Sequence, residues 1–421
     1  MNTQDRVTEN PAISSTHRVC IVGESFFPNL DGGAVFARSL AERLQRAGYE
    51  VCVITWRDLA SYPRHETIAG VPITRVAPTR RWGMLGRYFS MLTVAAELLR
   101  RRRQYDIVLV SNLRILGLPG LMVARSLGRP CILRADSSGE LSGEYVSNLH
   151  GHSLVKEMLG TVYFGLRNRF LRRADVFVSI TTAIHAEFIR VGVPPERIRL
   201  ISNGIDTDVF TPISDDQKAA LRTRLGLPAR ETIVAYSGRL TREKGLQMLV
   251  RAWKAVHREH PGTHLLLIGS GKGMPLSCED ELRSFVLENG LAASVTFTGS
   301  VERVYEYLQC ADVFVLPSRT EALPLALIEA MACELPAIAT NVGGIPDVIS
   351  DGVNGVMIGR DRQDELVEAV GRLVDSTRLR HRLGERGRET VVSKFSLDKV
   401  TVQYTDLLDS HLKKESSELT T

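Results

Sequence analysis

Residues 313–329 read VFVLPSRTEALPLALIE, and the architecture of the chain can be built outward from them. Val313–Leu316 is apolar at every position, the pattern of a strand covered on both faces. Pro317 and Ser318 end that run, and the spacing predicts a helix over Leu325–Cys333. A buried strand feeding a helix through a short loop is the repeating half of a parallel βαβ sheet. The pattern recurs on both sides, with strands expected at Ile233–Tyr236, His264–Ile268, Val295–Thr298 and Ala337–Thr340 and a helix at Leu246–Glu259.

The first half of the chain repeats the scheme. Strands are expected at Val19–Val22, Val51–Thr55, Ile73–Val76, Ile107–Val110, Cys131–Leu133, Val176–Ser179 and Arg199–Ser202. A helix at Val35–Ala47 carries Phe36, Leu40 and Leu44 on one face. At roughly 100–200 residues per domain, 421 residues fit two domains. The expectation is an α/β chain of two doubly wound domains facing across a cleft, where such folds bind ligands. The polar, turn-rich stretch Asn203–Asp216 marks the junction. This divides the chain into a polar tail (1–17), a first domain (18–205), a second (206–395) and a C-terminal helix and tail (396–421) that packs back on the first.

Charge separates the halves more sharply than the whole-chain net of +5 shows. Residues 1–205 hold 27 basic and 17 acidic side chains, a net of +10, and residues 206–421 hold 26 and 31, a net of −5. Opposite signs point to different partners for each half. Composition is ordinary for a globular protein, with 44% hydrophobic residues, which excludes collagenous, disordered and disulfide-scaffold classes. The six cysteines show no CxxC pair and read as reduced core residues. Met1–Thr16 lacks the apolar core of a signal peptide, and Arg125 and Arg129 break the most apolar stretch, Ile115–Leu133. A cytoplasmic protein is expected.

Three glycine-rich turns could hold an anion. Asp31-Gly32-Gly33-Ala34 opens the first helix, where backbone N–H groups can approach phosphate. Gly269-Ser270-Gly271-Lys272-Gly273 is no P-loop, because Gly273 follows Lys272 where Ser or Thr is required; Met274-Pro275 then breaks the helix that a dinucleotide fingerprint needs. It fits better as a loop supporting a nucleotide. In Gly238-Arg239-Leu240-Thr241-Arg242-Glu243-Lys244-Gly245, Arg239 and Lys244 emerge from a strand end inside a glycine-bounded turn, able to straddle one pyrophosphate. Solvated surface charge is the bland alternative for such a pair, and the turn's position weighs against it. In 313–329, Glu321 lies in the loop and Glu329 on the helix, with the turn Ala322–Ala326 presenting free N–H groups between them. The two carboxylates can bind hydroxyls on either side of an anion, one on a sugar and one on a ribose.

From about Arg18 to Phe395 the sequence resembles the family-4 retaining glycosyltransferases of GT-B fold. The resemblance is carried by DGGA, NGID, SGRLTREKG, LLLIGSG, FTGSV, ADVFVLPSRTEALPLALIEAMACELP, ATNVGGIPDVI and DGVNG. It implies two Rossmann-like domains, the first for the acceptor and the second for a nucleotide-sugar donor. It also implies roles: Arg239 and Lys244 on the donor pyrophosphate, Glu321 on the transferred sugar and Glu329 on the ribose. Gly33, Gly238, Gly271, Ala322, Leu323, Pro324, Leu325 and Ala326 would complete the donor cradle, and Ser300 and Val301 would meet the base. The family transfers a hexose or N-acetylhexosamine with retention of configuration, in polysaccharide, lipid-linked glycan or glycoconjugate synthesis, and needs no metal or other cofactor.

The sequence departs from the family in three places. The loop where relatives carry a histidine reads Arg134-Ala135-Asp136-Ser137-Ser138-Gly139-Glu140. Asp136, Glu140, His150 or His152 are the candidates for that place, and Asp136 is expected to be the catalytic one. Ala322 and Glu334 stand where glycines are usual. Asp206-Thr207-Asp208 matches the DxD metal motif of the other glycosyltransferase fold, but it follows Asn203-Gly204 at the junction, where the family has a structural turn. Arg80, Arg81, Arg87 and Arg100–Arg103 bracket Trp82–Leu99, a basic amphipathic helix suited to an anionic membrane surface or to an anionic lipid acceptor, the alternative being a domain-packing helix. The acceptor is a glycan, a lipid-linked glycan or a small molecule, and nothing but charge favours nucleic acid. A GT-B-fold nucleotide-sugar epimerase is the rival reading.

Overall fold

The computed structural model describes residues 17–29, 32–79, 83–144 and 154–418, with the side chains of 83–85, 87, 154–162 and 413–418 left aside. Leu30, Asp31, Arg80, Arg81, Trp82, His150 and His152 lie outside the described residues, as do the side chains of Met84, Leu85 and Arg87. Contacts group the chain into two compact units, one of 1–134, 152–177 and 404–421, the other of 135–151 and 178–403.

One sheet comprises β1 (Arg18–Gly23), β2 (Glu50–Trp56), β3 (His65–Ile68), β4 (Val71–Val76), β5 (Ile107–Ser111), β6 (Cys131–Ala135), β7 (Val176–Ser179) and β8 (Ile198–Leu200). Its order is β3-β4-β2-β1-β5-β6-β7-β8. β1 pairs in parallel with β2 and β5, β2 with β4 and β5 with β6, whereas β3 is antiparallel to β4. The helices that follow these strands are α1 (Gly32–Arg46), α2 (Gly83–Arg100), α3 (Leu113–Ser126), α4 (Leu154–Leu171) and α5 (Thr182–Arg190). α1 buries Phe36, Leu40 and Leu44, the expected face.

The second unit holds a six-stranded parallel sheet of β9 (Thr232–Ser237), β10 (Thr263–Ile268), β11 (Val295–Gly299), β12 (Val313–Leu316), β13 (Ala337–Thr340) and β14 (Val356–Ile358). Its order is β11-β10-β9-β12-β13-β14. Helices α6 (Asp215–Arg224), α7 (Leu246–Glu259), α8 (Glu279–Glu288), α9 (Val304–Cys310), α10 (Leu325–Ala332), α11 (Ile345–Val348), α12 (Gln363–Asp375), α13 (Thr377–Lys394) and α14 (Leu397–Glu418) complete the described elements. β10, β12 and β13 are buried at every residue, as strands covered on both faces must be. Asp312, just before β12, ties α6 to the sheet: it accepts from Lys218 and Arg222 at 2.6 Å each and from the Ile233 N–H at 2.7 Å.

Strand order decides where chemistry belongs. From β9 the chain runs outward to β10 and β11 on one side, then crosses to β12, β13 and β14 on the other. The loops after β9 and β12 therefore diverge at the switch point of the sheet, where open α/β sheets bind ligands.

Two expected features differ in detail. β3 and β14 were not anticipated, being short edge strands, and β3 alternates exposed and half-buried residues. β6 continues past Leu133 through Arg134, whose guanidinium is buried because it donates to Ser111 Oγ at 2.7 Å and stacks over Phe36 at 4.6 Å. All six cysteines are buried and free.

Candidate active site

The site is assembled from loops at the carboxyl ends of β9, β10, β12 and β13. Tyr236, fully buried near the end of β9, donates its hydroxyl to the Arg239 carbonyl at 2.9 Å. Burial pushes that phenol well above its ordinary value, so it acts as a neutral donor that fixes the start of the loop. Gly269, at φ 129°, brings the loop after β10 so close that a Cβ there would lie 2.0 Å from the Gly238 carbonyl oxygen. Gly245, at φ 68°, is the stricter case: its Cβ would lie 1.9 Å from the Pro317 carbonyl oxygen. Only glycine permits this approach, and it brings the turn bearing Lys244 onto the loop after β12. The Arg319 N–H to Glu243 carbonyl bond, 2.8 Å, closes the same seam.

The result is an ion pair between Lys244 Nζ and Glu321 Oε1 at 2.7 Å. Both side chains are largely buried, at 15% and 9% exposure, so the pair is worth more than a surface bridge. Ser318 Oγ donates to the same Oε1 at 2.7 Å. The next helix, α10, starts at Leu325 with Pro324 as its cap and no side-chain capping bond. The N–H groups of Leu325 and Ala326 therefore remain to receive an anion a few residues from Glu321. Ala322 and Leu323 lead into this helix start, with Leu323 and Pro324 buried.

Arg239 is not part of the Lys244–Glu321 contact. Its side chain is 55% exposed and lies 3.6 Å from Glu243. Glu329 sits on the second turn of α10, partly accessible, and burial pushes its carboxyl up to about 7. Gly271 also departs from a simple cradle: its N–H donates to Glu279 at 2.8 Å, as does Ser270 Oγ. Glu279 thus shapes the loop after β10 from the first turn of α8. Ser300 is exposed and Val301 half-buried just after β11, at the edge of the sheet. Gly33 lies in the first turn of α1 in the other unit, half-buried.

The loop after β6 is organised by two acids. Glu140 accepts from the N–H groups of Asp136 and Ser137, at 2.8 Å each. Glu187, from α5, accepts from Gly139 at 2.7 Å and Ser142 at 2.9 Å. Glu140 is fully buried, which makes it a scaffold for the loop, whereas Asp136 is half-buried at the strand end. Glu187 escaped sequence reading because it stands 48 positions from Gly139. Ser318 escaped it too, although S-x-x-E can signal a serine and glutamate that bond locally. In the Asp206-Thr207-Asp208 stretch, Asp206 accepts from the backbone of Asp208 at 3.1 Å and Val209 at 3.3 Å, a turn-forming role. Among the described residues no cluster of three His, Cys, Asp or Glu is placed to hold a metal ion.

An ion pair beside an uncapped helix start, at the switch point of a doubly wound sheet, marks the ligand-binding edge of an open α/β fold. Residues 217–390 match the model described as glycosyl transferases group 1, and residues 30–209 match that of glycosyltransferase family 4. The chain belongs to glycosyltransferase family 4 and is a glycosyltransferase of GT-B fold. Alpha-maltose-1-phosphate synthase of Mycolicibacterium smegmatis is 28% identical over 393 residues, 90% of this chain and 95% of its own. A GDP-mannose-dependent alpha-(1-6)-phosphatidylinositol monomannoside mannosyltransferase of Mycobacterium tuberculosis is 30% identical over 62% of this chain and 69% of its own. Sucrose-phosphate synthase from Thermosynechococcus elongatus shares the fold with a TM-score of 0.77 at 23% identity, covering 94% of this chain and 99% of that one. Anabaena HepE in complex with UDP-glucose does so at 0.73 and 19% identity, covering 94% and 100%. The epimerase alternative finds no support in these relatives.

Proposed function

We propose that this glycosyltransferase moves a hexose or N-acetylhexosamine from a nucleotide-diphosphate sugar to an acceptor hydroxyl with retention of configuration. The observation that carries the reading is the Lys244–Glu321 pair at 2.7 Å, seated at the switch point beside the uncapped start of α10. As the bond from sugar to diphosphate breaks, negative charge builds on the leaving group. Lys244 supplies a compact positive charge, Arg239 a planar fork from the same loop, and α10 its N–H groups. These protein groups compensate a diphosphate without a metal ion. Glu321 accepts hydrogen bonds from the transferred sugar and Glu329 from the ribose, while Ser300 and Val301 border the base. Asp136, held at the strand end by the Glu140-braced loop, serves the acceptor side.

Transfer with retention fits front-face departure and attack, without a covalent enzyme intermediate. Catalysis then rests on charge stabilisation and orientation. For the acceptor, the basic first half and the exposed apolar residues of α2 favour a lipid-linked glycan reached by peripheral contact with the inner membrane face. The reading is tested with UDP-glucose, UDP-N-acetylglucosamine, GDP-mannose and ADP-glucose, scored for thermal stabilisation and for slow hydrolysis. Lys244→Ala and Glu321→Ala are expected to lower turnover of the accepted donor by roughly 100-fold or more while keeping the far-UV circular dichroism of the parent. Near-normal turnover in both would sink the site assignment. Loss of activity on chelation, restored by manganese, would overturn the metal-free reading.

A further inference from the structure

Glu321 is held in a lopsided way. One oxygen, Oε1, takes both Ser318 Oγ and Lys244 Nζ at 2.7 Å each. The other, Oε2, accepts no hydrogen bond among the described residues. Ser318 is fully buried at the end of β12, and its own carbonyl accepts from Thr340 Oγ1 at the end of β13. The serine is therefore fixed to the sheet from below and reaches up to one edge of the carboxylate.

The two donors on Oε1 differ in what ligand binding does to them. An ammonium is a mobile point charge on a long stem, and a diphosphate beside it competes for that charge. A buried hydroxyl on a one-carbon stem has a short reach and no water to turn to. From this asymmetry we infer that Ser318 is the positioning residue that keeps Glu321 aimed when Lys244 turns to the donor diphosphate. The inference rests on the transferase reading above and deepens it: Ser318 holds Oε1, so Oε2 faces the sugar hydroxyl in the donor-bound state. In the free enzyme Lys244 does the same work and also neutralises the carboxylate.

The consequence is a split between the two ends of the donor. Ser318→Ala leaves Lys244, Arg239 and the start of α10 intact, so affinity for UDP and GDP should stay within about 3-fold of the parent. Turnover of the best of the four nucleotide sugars should fall roughly 10- to 100-fold, because a misplaced group costs rate. The preference for nucleotide sugar over free nucleoside diphosphate should shrink with it. Ser318→Thr, which restores the hydroxyl, should recover most of the loss. General damage to the loop would weaken nucleoside diphosphate and nucleotide sugar alike, and that result would overturn the inference. So would a Ser318→Ala enzyme with parental turnover, or a Ser318→Thr enzyme no better than Ser318→Ala. If the parent neither binds nor hydrolyses any of the four, the transferase reading falls and the inference falls with it; if the parent responds and Ser318→Ala matches it, only the inference falls.

Discussion

Glu329 has no cation beside it among the described residues, and burial alone pushes its carboxyl up to about 7. An unfolded glutamate titrates near about 4.3. Between these values the folded chain keeps a proton that the unfolded chain has released. The sign follows directly: Glu329 leaves stability untouched below about pH 4.3 and lowers it as pH rises from there to about 7, where the loss levels off at an upper limit on the order of 4 kcal/mol. Asp312 works the other way. Despite its burial, the Lys218 and Arg222 charges hold its carboxyl below the usual carboxylate range, so its contribution disappears as pH falls through its folded value. Glu329→Gln should therefore flatten the urea-unfolding stability between pH 5 and 7.5 and leave the acid limb in place. If the ribose reading is right, donor affinity of the parent should tighten from pH 6 to 8, as the ionised carboxylate accepts hydroxyl donors better. An unchanged pH slope in Glu329→Gln would show that the proton resides elsewhere.

At the scale of elements, the two departures from the family's glycines are not alike. Ala322 avoids the left-handed region, so its methyl group brings no backbone strain to the loop before α10. Glu334, just past the end of α10, sits at φ 61°, the conformation in which helices commonly end on glycine. Gly384 in α13 packs against it so closely that a Cβ would lie 2.0 Å from the Glu334 carbonyl oxygen. The side chain gains little there, with Arg388 at 3.9 Å. Glu334→Gly should raise unfolding free energy by about 0.5–1 kcal/mol, and a fall in urea midpoint would show that the turn is not strained. The contrast also shows what sequence could and could not tell. Buried strands such as β10, β12 and β13 were legible because an all-apolar run has one physical use. β3 was not, because its residues HETI are polar enough to read as loop until β4 pairs with them. At the site, Lys244 and Glu321 could be singled out separately from their turns. Their contact could not, since it depends on Gly245 meeting the Pro317 carbonyl across 72 residues. Glu187 was silent for the same reason, its partners lying more than 40 positions away, whereas Ser318 bonds to Glu321 only three positions on, a local pattern too common to single it out.

At the scale of the molecule, the +10 half and its apolar surface belong to one argument. α2 buries Val94 and Leu98 but leaves Tyr88, Phe89 and Leu92 between 52% and 67% exposed. On α4, Tyr163 and Leu166 are exposed as well. One face of α2 thus enters the core while other aromatic and aliphatic side chains remain in water. No described helix is long and apolar enough to cross a membrane. Glu97 engages Arg100 and Arg101, which removes part of the positive charge at the end of α2. What remains should attract an anionic surface by about 1 kcal/mol per basic residue close to it, an effect that fades within a Debye length of about 10 Å at 0.1 M salt. The full-length protein should therefore co-sediment with phosphatidylglycerol vesicles in 20 mM salt, much less in 500 mM salt, and little with phosphatidylcholine vesicles. Phe89→Ser with Leu92→Ser should weaken binding at both salt concentrations, because these side chains contribute apolar burial instead of charge. Absence of binding to phosphatidylglycerol at low salt would remove the membrane from the account and leave this surface to a soluble acceptor.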